Sequence, residues 1–252
     1  MRGAGIAHIN VDLIYGLPRQ TAASVAATVR QVTDLAADRI ACYGYAHLSE
    51  RKRNQRLIDT VTLPNVFERF LQAQAIAKAF TDAGYEPIGI DHFAKPADAL
   101  AVAAREGRLN RNFQGYTDDT STNLIGFGAS AISCLAEGFA QTCPNVEAYA
   151  FALGRGQLPV VRGHRLTDDD RARGAIIRQL MCAFQVDLAA HPQHGSFSDE
   201  LALHRPMAAD GLVTQTGTVI ALTPLGRLFV RVVATVFDTF RQESSQKFSI
   251  AV

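Results

Sequence analysis

The sequence predicts an α/β fold: a parallel-stranded first part, followed by a smaller, mainly helical part with the outline of a winged helix. Three observations carry this. A short apolar, β-branched run stops at Gly16-Leu17-Pro18, a helical pattern follows, and a second strand-like run comes after a brief connection, making a strand–helix–strand unit. Beyond residue 163 helical periodicity dominates and is interrupted by one hairpin pattern. Finally, 252 residues with 48% hydrophobic content suffice for one large domain or two modest ones, each with a buried core.

The run Ile9-Asn10-Val11-Asp12-Leu13-Ile14-Tyr15 reads as a strand buried on both faces of a parallel sheet. Thr21 is placed to cap a helix whose Val25, Val29, Val32 and Leu35 fall at spacings of four, three and three. Residues 39–45 form the next strand. The basic stretch Glu50-Arg51-Lys52-Arg53-Asn54-Gln55-Arg56 lacks the interleaved aromatics that single-stranded nucleic acid requires, and reads as a solvated loop or helix face. After Pro64, Val66, Phe70, Ala73, Ala77 and Phe80 recur at helical spacing, with Gly84 where a left-handed cap belongs. Residues 85–93 read as one further strand and residues 96–106 as a short helix. The Gly-, Asn-, Asp-, Thr- and Ser-rich residues 107–135 read as a long loop, ordered by Phe113, Tyr116 and Phe127.

A boundary is expected between Gly154 and Gly163, giving parts 1–155 and 156–252. In the second, Thr167-Asp168-Asp169-Asp170 opens a helix with a capping hydroxyl and acids at the positive end of its dipole. Ile176, Ile177, Leu180, Met181 and Phe184 supply its buried stripe. A helix over residues 199–209, a hairpin over 212–222 and a last helix from Pro224 complete the winged-helix outline. The stretch Asp199-Glu200-Leu201-Ala202-Leu203-His204 opens acidic, the wrong sign for a phosphate backbone, so a covering or interaction module is expected, not a DNA reader.

Lys and Arg total 25 against 24 Asp and Glu, and a net charge of +1 makes no case for nucleic acid or an anionic membrane as partner. No apolar run approaches the roughly 20 residues that cross a bilayer, and the first residues lack a signal-peptide core, so a cytoplasmic protein without a membrane span is expected. Cys42, Cys134, Cys143 and Cys182 are widely separated, show no metal-site spacing, and read as free thiols.

The motif Val11-Asp12-Leu13-Ile14-Tyr15-Gly16-Leu17-Pro18-Arg19-Gln20-Thr21 resembles the strand and turn shared by oxygen-independent coproporphyrinogen III oxidases and their heme-chaperone paralogues. Four further stretches resemble the oxidase proper: Tyr45-Ala46-His47-Leu48, Asp91-His92-Phe93-Ala94-Lys95-Pro96, Arg111-Asn112-Phe113-Gln114-Gly115-Tyr116-Thr117 and Gly126-Phe127-Gly128-Ala129-Ser130-Ala131-Ile132-Ser133. The resemblance runs over essentially the whole chain, including Phe248-Ser249 near its end.

What it implies is a radical S-adenosylmethionine (SAM) enzyme. The chain would hold the last strands of a partial (β/α)6 barrel, then the winged-helix-like domain. The full-length parent, a monomer, would turn the propionates of coproporphyrinogen III into the vinyls of protoporphyrinogen IX by oxidative decarboxylation. The implied SAM contacts are Asp12, Ala46, Phe113, Gln114 and Ile132. The family's Cys-x3-Cys-x2-Cys loop, which holds a [4Fe–4S] cluster, has no counterpart among the four cysteines; by the family pattern it would lie upstream of Met1 with the first four strands. The chain alone is therefore expected to be inactive, with no catalytic residue and no metal ligand of its own. The alternatives are a heme-binding chaperone paralogue and an isolated C-terminal interaction module.

The residues themselves leave more than one reading. A carboxylate in an apolar strand costs several kcal/mol unless paired; for Asp12 a ribose diol, a ligand ammonium or neighbouring backbone N–H groups would serve. Ala46 admits a flat ligand or ordinary close packing. Phe113 and Gln114 offer a stacking face and an amide suited to adenine, or Phe113 is a loop anchor. Ile132 lines a pocket or belongs to the core. Asp91 and His92 admit an acid–base pair or half a metal site but, adjacent and without a third ligand nearby in sequence, read rather as structural hydrogen-bonders. Arg111 is either a propionate clamp or half of a surface ion pair. The Gly126-Phe127-Gly128 run is no phosphate loop, since no Lys-Ser/Thr follows.

Overall fold

The computed structural model describes residues 2–50, 52–191 and 197–240; Arg51 and the Phe248-Ser249 pair lie outside the described residues. Strands β1 (Asn10–Tyr15) and β2 (Arg39–Gly44) run parallel, with Asp12 opposite Ala41 and Ile14 opposite Tyr43. Helix α1 (Ala22–Asp34) crosses between them. It starts at Thr21 because the Thr21 and Ser24 side chains each accept from the other's backbone N–H, satisfying donors that a helix start leaves open. Val25, Val29 and Val32 are buried as their spacing requires, but Leu35, assigned to the same stripe, is the C-cap residue and 65% exposed. Ala36 turns the chain left-handed immediately after it, at φ 53°.

Helix α2 (Val66–Asp82) begins with a reciprocal cap between Asn65 and Glu68 and ends before Gly84, whose φ is +82°. The single strand expected over residues 85–93 is instead a tight antiparallel pair, β3 (Glu86–Ile88) and β4 (His92–Ala94). Gly89 makes the break: its φ is +60°, and a Cβ there would stand 2.0 Å from the Tyr116 ring. Because β4 pairs antiparallel with β2, the sheet is mixed, in the order β1-β2-β4-β3.

Helix α3 (Ala99–Arg105) follows. The expected long loop over 107–135 contains a hairpin of β5 (Asn110–Asn112) and β6 (Gly115–Thr117), and ends in β7 (Ile132–Leu135). Strands β7, β8 (Gly138–Thr142) and β9 (Val160–Arg165) form an antiparallel sheet, with α4 (Val146–Gly154) inserted between β8 and β9.

The winged-helix outline holds. Helix α5 (Asp168–Ala183) starts in a reciprocal Thr167–Asp170 cap and stops at Phe184, in left-handed conformation at φ 58°. Then come β10 (Gln185–Asp187), α6 (Ser198–Ala209), and the hairpin of β11 (Val213–Thr216) and β12 (Val219–Leu222), with β10 added to β12 as a third strand. The last helix breaks at Phe229 into α7 (Pro224–Leu228) and α8 (Val230–Thr235).

Two separate cores result. In one, Tyr15, Ile40, Cys42 and Phe93 project from one face of the mixed sheet onto α1 and α2, where Phe80 stacks on Phe93 at 4.8 Å between ring centroids. In the other, Ile176, Leu180, Val213, Ile220, Val233 and Phe237 close the helical part. Fully burying one such side chain contributes about 1.5–3 kcal/mol. No helix among the described residues is long and apolar enough to cross a membrane.

Candidate functional site

Side chains alternate along a strand, so with Tyr15, Ile40 and Cys42 turned to the helices, Asp12, Ile14, Ala41 and Tyr43 share the opposite face. That face of β1 is open: Asp12 is exposed and Ile14 is 50% exposed. Among the described residues β1 is covered on its helix side alone, not on both faces as expected, and the Asp12 carboxylate is exposed there. It accepts a hydrogen bond from Asn10 Nδ2 at 3.3 Å.

The register places His92 of β4 on the same face, opposite Ala41. Three rings then run in series. Tyr43 meets His92 edge-on at 6.1 Å, and His92 meets Tyr116 of β6 edge-on at 5.4 Å. The Arg111 guanidinium caps the series, 5.2 Å from the Tyr116 centroid. Asp91 Oδ1 lies 2.7 Å from His92 Nδ1, so each side chain fixes the other. Tyr116 donates its hydroxyl proton to the Met181 carbonyl of α5 at 2.9 Å, tying the sheet to the helical part.

Charge converges on Tyr43. Burial pushes its hydroxyl above the ordinary tyrosine range, Asp12 and Asp91 push the same way, and Arg111 opposes them. Burial does the same to Tyr116, so both remain protonated donors at neutral pH. Arg111 Nε is buried without a partner among the described residues.

Phe113 and Gln114 form the tip of the β5–β6 hairpin, where Gln114 N donates to Asn112 Oδ1 at 2.8 Å and closes the turn. Both side chains are exposed, Phe113 by 50%, so Phe113 is not a loop anchor. Ala46 lies just past the C-terminal ends of β1 and β2: Tyr45 N donates to the Tyr15 carbonyl at 2.7 Å, and Gln55 Nε2 holds the Ala46 carbonyl at 3.1 Å. Ile132 opens β7, is partly buried, and stands on a different sheet; no hydrogen bond or ring contact among the described residues joins it to the other four. Thus the open face reaches the hairpin through the Tyr43, His92 and Tyr116 rings, Ala46 sits at the strand ends, and Ile132 stands on a different sheet. Sequence reasoning missed Tyr43 as the centre of the face, although its two-residue spacing from Ala41 was a usable signal.

The thiols suit no cluster. Burial pushes Cys42 up to about 12 and Cys182 up to about 11, whereas a metal takes the thiolate. Among the described residues no group of three or more His, Cys, Asp or Glu is placed to hold a metal ion.

Comparison with known proteins adds three findings. The family model described as the HemN C-terminal domain matches residues 166–229. The chain is 45% identical to the oxygen-independent coproporphyrinogen III oxidase of Bradyrhizobium diazoefficiens, across 100% of this chain and 57% of that protein. It is 40% identical to the protein of the same name from Thermostichus vulcanus, across 100% of this chain and 80% of that one. Among solved structures it superimposes on coproporphyrinogen III oxidase (HemN) from Escherichia coli, described as a radical SAM enzyme, with a TM-score of 0.88 and 40% identity, covering 95% of this chain and 56% of that one. The chain therefore spans little more than half the length of most of the relatives it matches.

Proposed function

The chain belongs to the family of oxygen-independent coproporphyrinogen III oxidases, and on that premise we propose that it supplies the SAM-facing strand ends, the substrate-side hairpin and the C-terminal domain of an enzyme that oxidatively decarboxylates coproporphyrinogen III to protoporphyrinogen IX. What supports the reading is the open face of β1 and β2 that carries Asp12 and Tyr43, with Tyr43 linked through the His92 and Tyr116 rings to the hairpin that bears Arg111, Phe113 and Gln114. Its donor set fits SAM. The Asp12 carboxylate is exposed to accept from a ribose diol or an ammonium, the Phe113 ring is free to stack on adenine, Gln114 offers an amide, and Ala46 leaves space at the strand ends. Ile132 completes the proposed contacts from the β7 side. When bound, SAM supplies the hydrogen-abstracting chemistry. The chain's own residues position it: Asp12 orients the sugar or the amino acid, the hairpin shields the base from water, and Arg111, with its Nε unspent, clamps a substrate propionate.

The four cysteines do not fit a [4Fe–4S] cluster, so no step is assigned to one here. These 252 residues alone, reconstituted anaerobically with iron and sulfide, are expected to give neither a stoichiometric visible band nor 5′-deoxyadenosine. The decisive experiment splices them onto the remaining part of the Escherichia coli relative and follows carbon dioxide release from coproporphyrinogen III. Release that falls at least tenfold in Asp12→Ala or Phe113→Ala supports the reading. A chimera that folds and carries its cluster yet releases none overturns it, as do variants that leave release unchanged.

With this reading goes a two-part organisation, 1–155 and 156–252. Its support is the pair of distinct cores and the match at 166–229, which falls wholly in the second part. A monomeric, cytoplasmic enzyme without a nucleic-acid partner belongs to the same proposal.

A further inference from the structure

On the helix side of the sheet, opposite the face that carries Asp12, a cavity of about 450 Å³ opens between α2, the ends of β1 and β2, and the α7–α8 segment. That volume lies within the roughly 300–1,000 Å³ span of small-molecule sites. Phe70, Ala73, Phe93 and Phe229 give it apolar walls, and three guanidinium groups, those of Arg69, Arg227 and Arg231, face a single carboxylate, Asp91.

The carboxylate is already engaged, with Oδ1 on His92 and Oδ2 on Arg231 at 3.3 Å. Arg227 lies over the Phe184 ring, 4.7 Å from its centroid. Arg69 has no such occupation: its Nε is buried and bonded to nothing among the described residues. The backbone is shaped around this side chain, since a Cβ at Gly44 would stand 2.9 Å from Arg69 Nη2, and one at Gly16 3.2 Å from Nε. Arg69 is only partly buried, but an Nε withdrawn from water without a hydrogen bond costs free energy, and an anion drawn to its guanidinium would offset part of that. The neighbouring groups do not compete for it. Burial keeps the Tyr15 hydroxyl protonated, a donor and not an anion, and pushes the Cys42 thiol up to about 12, so it stays neutral.

We propose that this cavity binds an amphipathic carboxylate, its carboxylate on the Arg69 guanidinium and its apolar body between Phe70 and Phe229. Arg231 stands at the mouth, 43% exposed, and adds long-range attraction for the anion. The Asp91-His92 pair borders both this cavity and the open face, so occupancy is felt on both sides of the sheet. The site rests on the cavity and its cations alone and stands whether or not the SAM-facing reading holds.

Titration calorimetry of the full 252-residue chain tests it, with decanoate and 2-naphthoate as ligands and 1-decanol and 2-naphthol as their uncharged counterparts. At least one acid is expected to bind about tenfold or more tightly than its alcohol, because a charge-assisted pair to the guanidinium is lost in the alcohol. The better acid identifies a flexible or a planar body. Arg69→Met should weaken the acid about tenfold and leave the alcohol unchanged, Arg69→Lys should restore part of the loss, and Ala73→Trp, which fills the cavity from α2, should weaken both. Circular dichroism confirms that each variant is folded, and the alcohol arm serves as an internal control on cavity integrity. The proposal is overturned by no heat of binding with either acid up to about 1 mM, by equal affinity for acid and alcohol, or by an Arg69→Met variant that binds the acid as the parent does.

Discussion

Cys42 and Cys182 show how burial decides the chemistry of a residue whose type promises reactivity. With thiols pushed up to about 12 and about 11, their thiolate fractions at pH 8 fall about a thousandfold and a hundredfold below that of an ordinary cysteine. Iodoacetamide at that pH is therefore expected to modify Cys134 and Cys143 well before Cys42, which is buried, and before Cys182, which is partly buried as they are but has its thiol pushed up, with mass spectrometry of digested samples as the readout. Labelling of Cys42 at the rate of Cys143 would contradict the burial described. Side-chain environment was the least legible layer of the sequence. Asp12 was picked out as a carboxylate needing a partner inside a buried strand; it is instead exposed, because β1 packs on one side only. Composition shows which residue is present, but the face it takes is set by what covers the strand, and for β1 that covering is α1 and α2 alone. Arg111 shows the same limit: neither clamp nor ion pair could be chosen from sequence, and its cation–π contact with Tyr116 comes from a hairpin that alternation alone does not reveal.

Elements were far more legible, because caps and periodicities are local. The Thr21 and Thr167 caps start α1 and α5 where expected, and α2 starts after Pro64 as its spacing requires. The failures come from contacts distant in sequence. Residues 85–93 have the composition of one strand, and only Tyr116, which occupies the space beside Gly89, forces a hairpin. Gln72 is another case. It sits on the buried side of α2 and is 1% exposed, a position that helical spacing would give to an apolar residue. Its Oε1 accepts from Gly16 N at 2.9 Å and its Nε2 donates to the Gln20 carbonyl at 2.6 Å, fixing the turn after β1. Gln72→Leu should therefore cost about 1–3 kcal/mol for each polar group left unpaired, read as a lower urea midpoint with an unchanged slope. A variant as stable as the parent would show that water replaces the side chain.

For the whole molecule, the change in periodicity suggests a division into two parts, while the contacts that link them are not legible in it. Ile90 packs against the helical core and against the cluster around Leu100 and Tyr116, and the Tyr116 hydroxyl spans the joint to Met181. Tyr116→Phe keeps the ring contacts and deletes that one bond, leaving the Met181 carbonyl without its partner. A loss of about 1–3 kcal/mol in denaturant unfolding is expected, with the helical part released first in limited proteolysis. Unfolding and cleavage identical to the parent would show that packing alone holds the joint.

The ring series on the open face also has an optical consequence. The chain has no Trp, so its near-ultraviolet emission arises entirely from six tyrosines, and Tyr43 and Tyr116 sit on either side of one imidazole. A guest settling over Tyr43 changes the surroundings of one of the six emitters directly, and those of Tyr116 through the ring between them. The molecule thus carries its own reporter at the place where its chemistry is proposed to happen, with no dye attached.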